Sequence, residues 1–258
     1  MFERNQSIKN KMKGIVSVGC SIAKGYGLWL YNNNYNKDTS NISNIQLNKH
    51  LRYTDIVSNY FNTFYIINDF LSDTGDERQS LEFCERIVGD GFPHKLTDFS
   101  VLLFQLSWPG RCYLEYGDEK IKLGPYYDDD GYQEELVHLK LEPTQYYQLL
   151  KEQILSEIEI LFKKVESYGI QPILIRGSSE YDNDFTSYLE SKLLHIKLGK
   201  DDNSNRSIDD LLTYGKDGKV MFITSPNGGD SHPSMEFHNI IAQNIIDTII
   251  TNRTPLER

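Results

Sequence analysis

FSVLLFQL, residues Phe99–Leu106, is a run in which only Ser100 and Gln105 are polar, too continuous for a strand with one wet face. A strand covered on both faces reads this way, and such strands belong to parallel sheets flanked by helices. Outward from it the pattern repeats. Ile15-Val16-Ser17-Val18 is a short apolar run ending at Gly19, and TFYIIN (Thr63–Asn68) and QPILIRG (Gln171–Gly177) read as further strands. Helical patterns lie between them. Tyr53 to Phe61 is one, and Glu77 to Val88, with Leu81, Cys84 and Val88 in phase, is another. A third carries Tyr147, Leu150, Ile154, Ile158, Leu161 and Val165 every three or four residues, and Gly169 stops it. KVMFIT (Lys219–Thr224) reads as a short strand. A final helix from about Pro233 places Phe237, Ile240, Ile241, Ile245 and Ile249 on its buried side. Strands alternating with helices predict a three-layer α/β fold with a mostly parallel sheet.

Three stretches break the rhythm. Asn32 to Lys49 is polar and reads as a loop, and residues 181–214 are mixed. Residues 110–142 hold clustered tyrosines, several glycines and the acidic run Asp128-Asp129-Asp130, and read as an insertion on the rim with its own hairpin. With no internal repeat and no linker, one domain over residues 1–258 is expected, carrying that insertion at about 110–142.

A chain of 258 residues can bury a sizeable core without staples. Its 39% hydrophobic and 25% charged residues are ordinary for a soluble protein. The net charge of −10 argues against nucleic acid or an anionic membrane as the main partner. Cys20, Cys84 and Cys112 form no CxxC pair, which argues against a disulfide framework or a structural zinc site. The opening MFERNQSIKNKMKG lacks the apolar core of a secretory signal, and no apolar run is long enough for a membrane helix. The expectation is a cytoplasmic protein. Seventeen tyrosines suit ordinary packing and also carbohydrate surfaces, because the ring is apolar and its tip is not.

Two segments carry chemistry. Ser21 lies in VSVGCSIAKGYGL, just past the first strand, and in an open parallel sheet ligands bind at the carboxyl ends of strands. A helix starting there would aim free N–H groups at an oxyanion beside the hydroxyl. The segment is neither a P-loop nor a GxSxG elbow, and alone it also reads as a helix cap. The second segment is GGDSHPSMEFHNIIAQNII, where Asp230 and His232 stand two positions apart before the last helix. A serine hydroxyl needs a base to attack at neutral pH, and histidine has a suitable pKa. The base needs a carboxylate to hold its tautomer. Alone, this segment also reads as a capping Asp and a surface His. Together the two supply the nucleophile Ser21, the base His232 and the orienting acid Asp230.

These residues carry a resemblance. GCSIAKGYGL is similar to the first block of the SGNH (GDSL-type) hydrolases, and DSHPSMEFHNIIAQNII to their last. The pairing of GCSxxxGxG with D-x-H-P-S is closest to the family's phage-type branch. YIINDFLSDTGDERQSL resembles the second block, which would make Gly75 an oxyanion donor, and DFSVLLFQLSWPGR resembles the third. The resemblance implies a flavodoxin-like SGNH fold and a serine esterase that works through an acyl-enzyme, with no metal and no organic cofactor. Ser21, Gly75 and a group from Ser107–Arg111 would hold the oxyanion.

Two departures stand out. The family's commoner step from Asp to His is three residues, and here it is two. The third block usually carries an asparagine that donates to the oxyanion, and Leu106-Ser107-Trp108-Pro109-Gly110-Arg111 has none. Ser107 or Arg111 is left to donate, and losing such a donor costs about 100–1,000-fold in turnover. The expected substrate is a small-molecule or glycan ester, with an O-acetylated carbohydrate suggested by the tyrosines, and Tyr126, Tyr127 and Arg111 are the candidate substrate contacts. An O-acyltransferase with the same triad, and an inactive carbohydrate- or protein-binding module, are the alternatives. Cys20 alternates away from Ser21 along an extended chain, and Asp128–Asp130 lack EF-hand spacing. His238, six positions after His232, reads as a helix-surface residue.

Overall fold

The structure is a computed structural model that describes residues 12–19, 52–67, 98–106, 114–121, 141–176, 191, 193–196 and 235–252. In chain order these give β1 (Gly14–Val18), α1 (Tyr53–Phe61), β2 (Tyr65–Ile67), β3 (Phe99–Leu106), β4 (Leu114–Tyr116) and β5 (Glu119–Ile121). They continue with α2 (Pro143–Ser167), β6 (Gln171–Arg176) and α3 (Met235–Asn252). The expected strand at Lys219–Thr224 and helix at Glu77–Val88 lie outside the described residues.

β3 is buried at every position, as its unbroken apolar run requires, and it pairs in parallel with β1 on one side and β6 on the other. β2 pairs in parallel with the far side of β1, so the sheet runs β2-β1-β3-β6. Among these parallel strands the order is second, first, third, fourth, which is the flavodoxin-like order with its reversal between β1 and β3. Parallel crossovers are right-handed, so strands laid down in opposite directions receive their helices on opposite faces.

The packing follows that rule. Leu150, Ile154, Ile158, Leu161, Phe162 and Val165 of α2 pack with Val16, Val18, Leu102 and Phe104 on one face. Tyr53, Val57 and Phe61 of α1 join Phe237, Ile241, Ile245 and Ile249 of α3 over Ile15, Val101, Leu103, Ile173 and Ile175 on the other. Alternate residues of each strand thus feed opposite layers. The architecture is a three-layer α/β fold with a mostly parallel sheet, as expected from sequence. Beyond β6 the chain adds a parallel bridge, with Ile196 N–H donating to Leu174 O at 3.1 Å and Leu174 N–H to Leu194 O at 2.8 Å.

Local chemistry sets the element ends. Asp55 accepts the Arg52 amide at 3.3 Å, the half of a capping box in which the third helical residue reaches back. Asn62 closes α1 in the left-handed region at φ 52°, which asparagine tolerates better than most residues. α2 ends in a Schellman motif. Ile170 N–H reaches Val165 O at 3.2 Å, Gly169 N–H reaches Glu166 O at 2.8 Å, and Gly169 has φ 77°. At Gly14 a Cβ would lie 2.5 Å from the Phe64 ring and 2.8 Å from that of Phe99, so only glycine lets these two rings meet over β1.

The 110–142 stretch does hold a hairpin, β4–β5, with the pair Tyr116↔Glu119 closing a two-residue Gly117-Asp118 loop. Gly117 has φ 64°, the sign a II′ turn needs at its first position. The hairpin docks on α2: Leu114 is buried in that core, and Glu115 N–H donates to Gln153 Oε1 at 2.9 Å. One helical assignment is corrected. Tyr147, expected on the buried face of α2, is 43% exposed, and Tyr146 is buried instead. The stripe steps by four through Tyr146, Leu150, Ile154 and Ile158, and that phase faces the sheet. Among the described residues no helix is long and apolar enough to cross a membrane.

Candidate active site

The residues singled out from sequence are Ser21, Asp230 and His232 for catalysis, Gly75 and Ser107 for the oxyanion, and Arg111, Tyr126 and Tyr127 for substrate. All lie outside the described residues. The structure describes the frame from which they depart. β1 and β3 are parallel neighbours, with Val18 opposite Phe104, so both end at one edge of the sheet. The strand order reverses between these two strands, and the crevice outside such a reversal is where doubly wound sheets take ligands. Ser107 directly follows Leu106 and Ser21 is third after Val18. At about 3.3–3.6 Å per residue, chain length alone keeps Ser21 within about 11 Å of the end of β1.

The helices α1 and α3 supply the next layer. α1 feeds β2 through residues 62–64, so its last turn lies at the amino edge of the sheet and its first, at Tyr53, toward the carboxyl edge. His238, in the first turn of α3, meets it there. The Tyr53 amide donates to His238 Nδ1 at 3.3 Å, and the two rings stack with centroids 5.8 Å apart. His232 precedes the first residue of α3, Met235, by three positions.

Around that junction the interior is polar. Arg52, Tyr53, Thr54, Asp55 and His238 are all buried. The Arg52 Nε lies 4.0 Å from Asp55 Oδ2, and Tyr65 donates its hydroxyl to Asp55 Oδ1. Ser17 and Gln105 are buried on the strands that flank the reversal, in phase with Ile15 and Leu103 and so on the same side as α1 and α3.

His238 corrects the sequence reading. It is fully buried, where a surface position was expected. Burial first and the nearby Arg52 guanidinium second lower its pKa to about 3, so the ring is neutral at ordinary pH. A neutral ring that accepts at Nδ1 carries its proton on Nε2, which has no hydrogen-bond partner among the described residues. The signal was in the helical phase. His238, Ile241, Ala242, Ile245 and Ile249 follow one apolar stripe, and a histidine in that register is interior. The buried Asp55 carried no comparable signal, because its partner Tyr65 lies ten residues away in sequence.

No family model matches the sequence, and no curated protein matches it. In fold the chain is similar to three solved structures. A GDSL-like lipase from Bacteroides thetaiotaomicron VPI-5482 has 11% identity and a TM-score of 0.48, covering 98% of each chain. TesA has 13% identity and a TM-score of 0.45, covering 92% of this chain and 98% of its own. A candidate acylhydrolase from Bacteroides fragilis NCTC 9343 has 12% identity and a TM-score of 0.43, covering 96% of this chain and 94% of its own. Likenesses of this size say nothing of substrate or catalytic residues.

Proposed function

We propose that the chain is a serine ester hydrolase with Ser21 as nucleophile, His232 as base and Asp230 as the acid that orients it. The observation that carries the reading is the strand-order reversal between β1 and β3. The nucleophile candidate follows one of those strands in sequence and the oxyanion candidate Ser107 follows the other. The start of α3, which the Asp230–His232 stretch precedes, meets α1 at its carboxyl-edge end.

In the proposed cycle Ser21 Oγ bonds to the ester carbonyl carbon as His232 Nε2 takes its proton. The oxyanion is held by the amides of Ser21 and Gly75 and by a donor from Ser107–Arg111. Collapse breaks the ester C–O bond, and His232 returns the proton to the departing alcohol. Water then attacks the acyl-enzyme with His232 again as base, releasing the acid and restoring Ser21. The substrate class we favour is an O-acylated carbohydrate, with Tyr126 and Tyr127 stacking on sugar rings and Arg111 meeting a charged group.

The decisive experiment pairs a fluorophosphonate probe with turnover of p-nitrophenyl acetate. The probe should label Ser21, and Ser21→Ala should lose at least about a thousandfold in kcat while keeping the wild-type melting temperature. A fully active Ser21→Ala variant ends the reading. A folded wild type that neither labels nor hydrolyses is a binding module on the same fold, an outcome the absent third-block asparagine makes worth recording.

A further inference from the structure

The feature of the described interior with most consequence for the site is the junction of His238 with Tyr53. The Tyr53 amide is the first of α1 and belongs to the set that no helix satisfies internally. A capping side chain on the preceding residue reaches the second or third helical amide, not this first one, and Arg52, which stands there, has only donors. The acceptor comes instead from 185 residues away in sequence, from a ring clasped between Tyr53 (stacked, 5.8 Å) and Phe237 (edge-on, 5.7 Å). A hydrogen bond inside a ring stack fixes orientation as well as proximity. Apolar contact alone fixes only the second.

We propose that His238 is a positioning residue, whose Nδ1 cap on Tyr53 sets the first turn of α3 against the first turn of α1. His232 precedes Met235 by three positions in sequence, so fixing the first turn of α3 limits where the proposed Asp230–His232 pair can reach. The inference rests on the triad reading above. The neutral, Nε2-protonated ring is the form the cap requires, because an imidazolium has no acceptor left. His238 therefore acts through His232's placement and exchanges no proton in turnover.

Three variants separate this role from simple packing. His238→Phe keeps a ring and removes the acceptor, His238→Asn keeps an acceptor one bond beyond Cγ, and His238→Ala removes both. We expect His238→Phe to fold, to keep KM for p-nitrophenyl acetate within about threefold, and to lose about 10–100-fold in kcat, the scale of an ångström-sized misplacement. Its pH–rate profile should shift in apparent pKa, since the base it misplaces is the group that profile reports. His238→Asn should restore most of kcat and the wild-type profile.

Amide exchange supplies a readout that needs no activity. Residues 225–240 and the Tyr53 amide should exchange faster in His238→Phe and regain protection in His238→Asn. Wild-type kcat and pH profile in His238→Phe, or exchange there unchanged from wild type, would overturn the proposal. So would a kcat in His238→Asn as low as in His238→Ala. Should the wild type hydrolyse no ester, the esterase reading falls, and the exchange pattern still decides whether His238 holds the segment.

Discussion

The two faces of the sheet are built on different physics. Under α2 Val18, Leu102, Phe104, Leu150, Ile154 and Phe162 meet, and among the described residues the buried charged pair Arg52 and Asp55 belongs to the other face. Under α1 and α3 the apolar stripe is shared with Arg52, Asp55, His238, Ser17 and Gln105, all buried. Polar groups in an interior cost free energy unless their hydrogen bonds are made, so such a layer is less economical for stability. It gains direction, because hydrogen bonds and ring stacks set angles that hydrophobic contact leaves loose. The face with direction also carries the α1–α3 junction, toward the carboxyl edge of the sheet.

The comparison can be broken most simply on the apolar face. Phe104 packs edge-on to Phe162 at 6.0 Å, and both are buried. Phe104→Ala should cost about 3–5 kcal/mol of unfolding free energy, read by denaturant titration. Below its transition, turnover of a short ester should stay within about twofold of wild type. A larger loss of kcat at temperatures where the variant is folded would show that the apolar face also positions the site.

The polar face should reveal itself through pH. His238 titrates near 3 when folded and near its ordinary 6.5 when unfolded, so between those values the unfolded chain binds more protons. Stability from this group is therefore complete above about 6.5 and is lost as pH falls toward 3. The groups around the ring are Tyr53 and Arg52 from the start of α1, with Asp55 beside Arg52 and Tyr65 beyond it, while Glu236 in the first turn of α3 is exposed. Comparing wild type with His238→Asn cancels whatever those neighbours contribute alike. From pH 7 to pH 4 the wild type should lose about 3 kcal/mol more than the variant. Parallel losses in the two proteins would mean that the ring is not held neutral by burial.

The smallest expected effect compares the helix ends. α1 and α2 both stop in the left-handed region, at Asn62 and Gly169. Gly169→Ala should cost about 1 kcal/mol and leave activity alone, because a Cβ is strained at φ 77° although space around it is open. Asn62→Gly should change stability by less than half of that. Equal effects at both sites would say that the Schellman bonds, and not the backbone sign, carry the cap.

Much of the frame was legible in the residues. FSVLLFQL and Tyr53–Phe61 form their elements with the bounds the patterns indicated, because continuous burial and a clear helical period are properties of the chain itself. The triad candidates were legible in another way, as residue types and spacing at Ser21, Asp230 and His232, and they remain the proposal to test. Tyr147 and His238 were misread for one reason. A period says which residues share a stripe, but a boundary position or a polar member of the stripe can be assigned only once its neighbour is known.

What the sequence determined by itself was local: where strands and helices form and where glycine or asparagine ends them, with the hydroxyl, imidazole and carboxylate of the proposed triad offered as candidates. Tertiary structure alone decided that β3 would lie beside β1 and reverse the strand order there. It also decided that a histidine near the end of the chain would cap a helix near its beginning. Contacts of that kind join residues 185 positions apart. No short-range pattern encodes them, because they form only when the packing of the whole sheet has brought the two helix starts together.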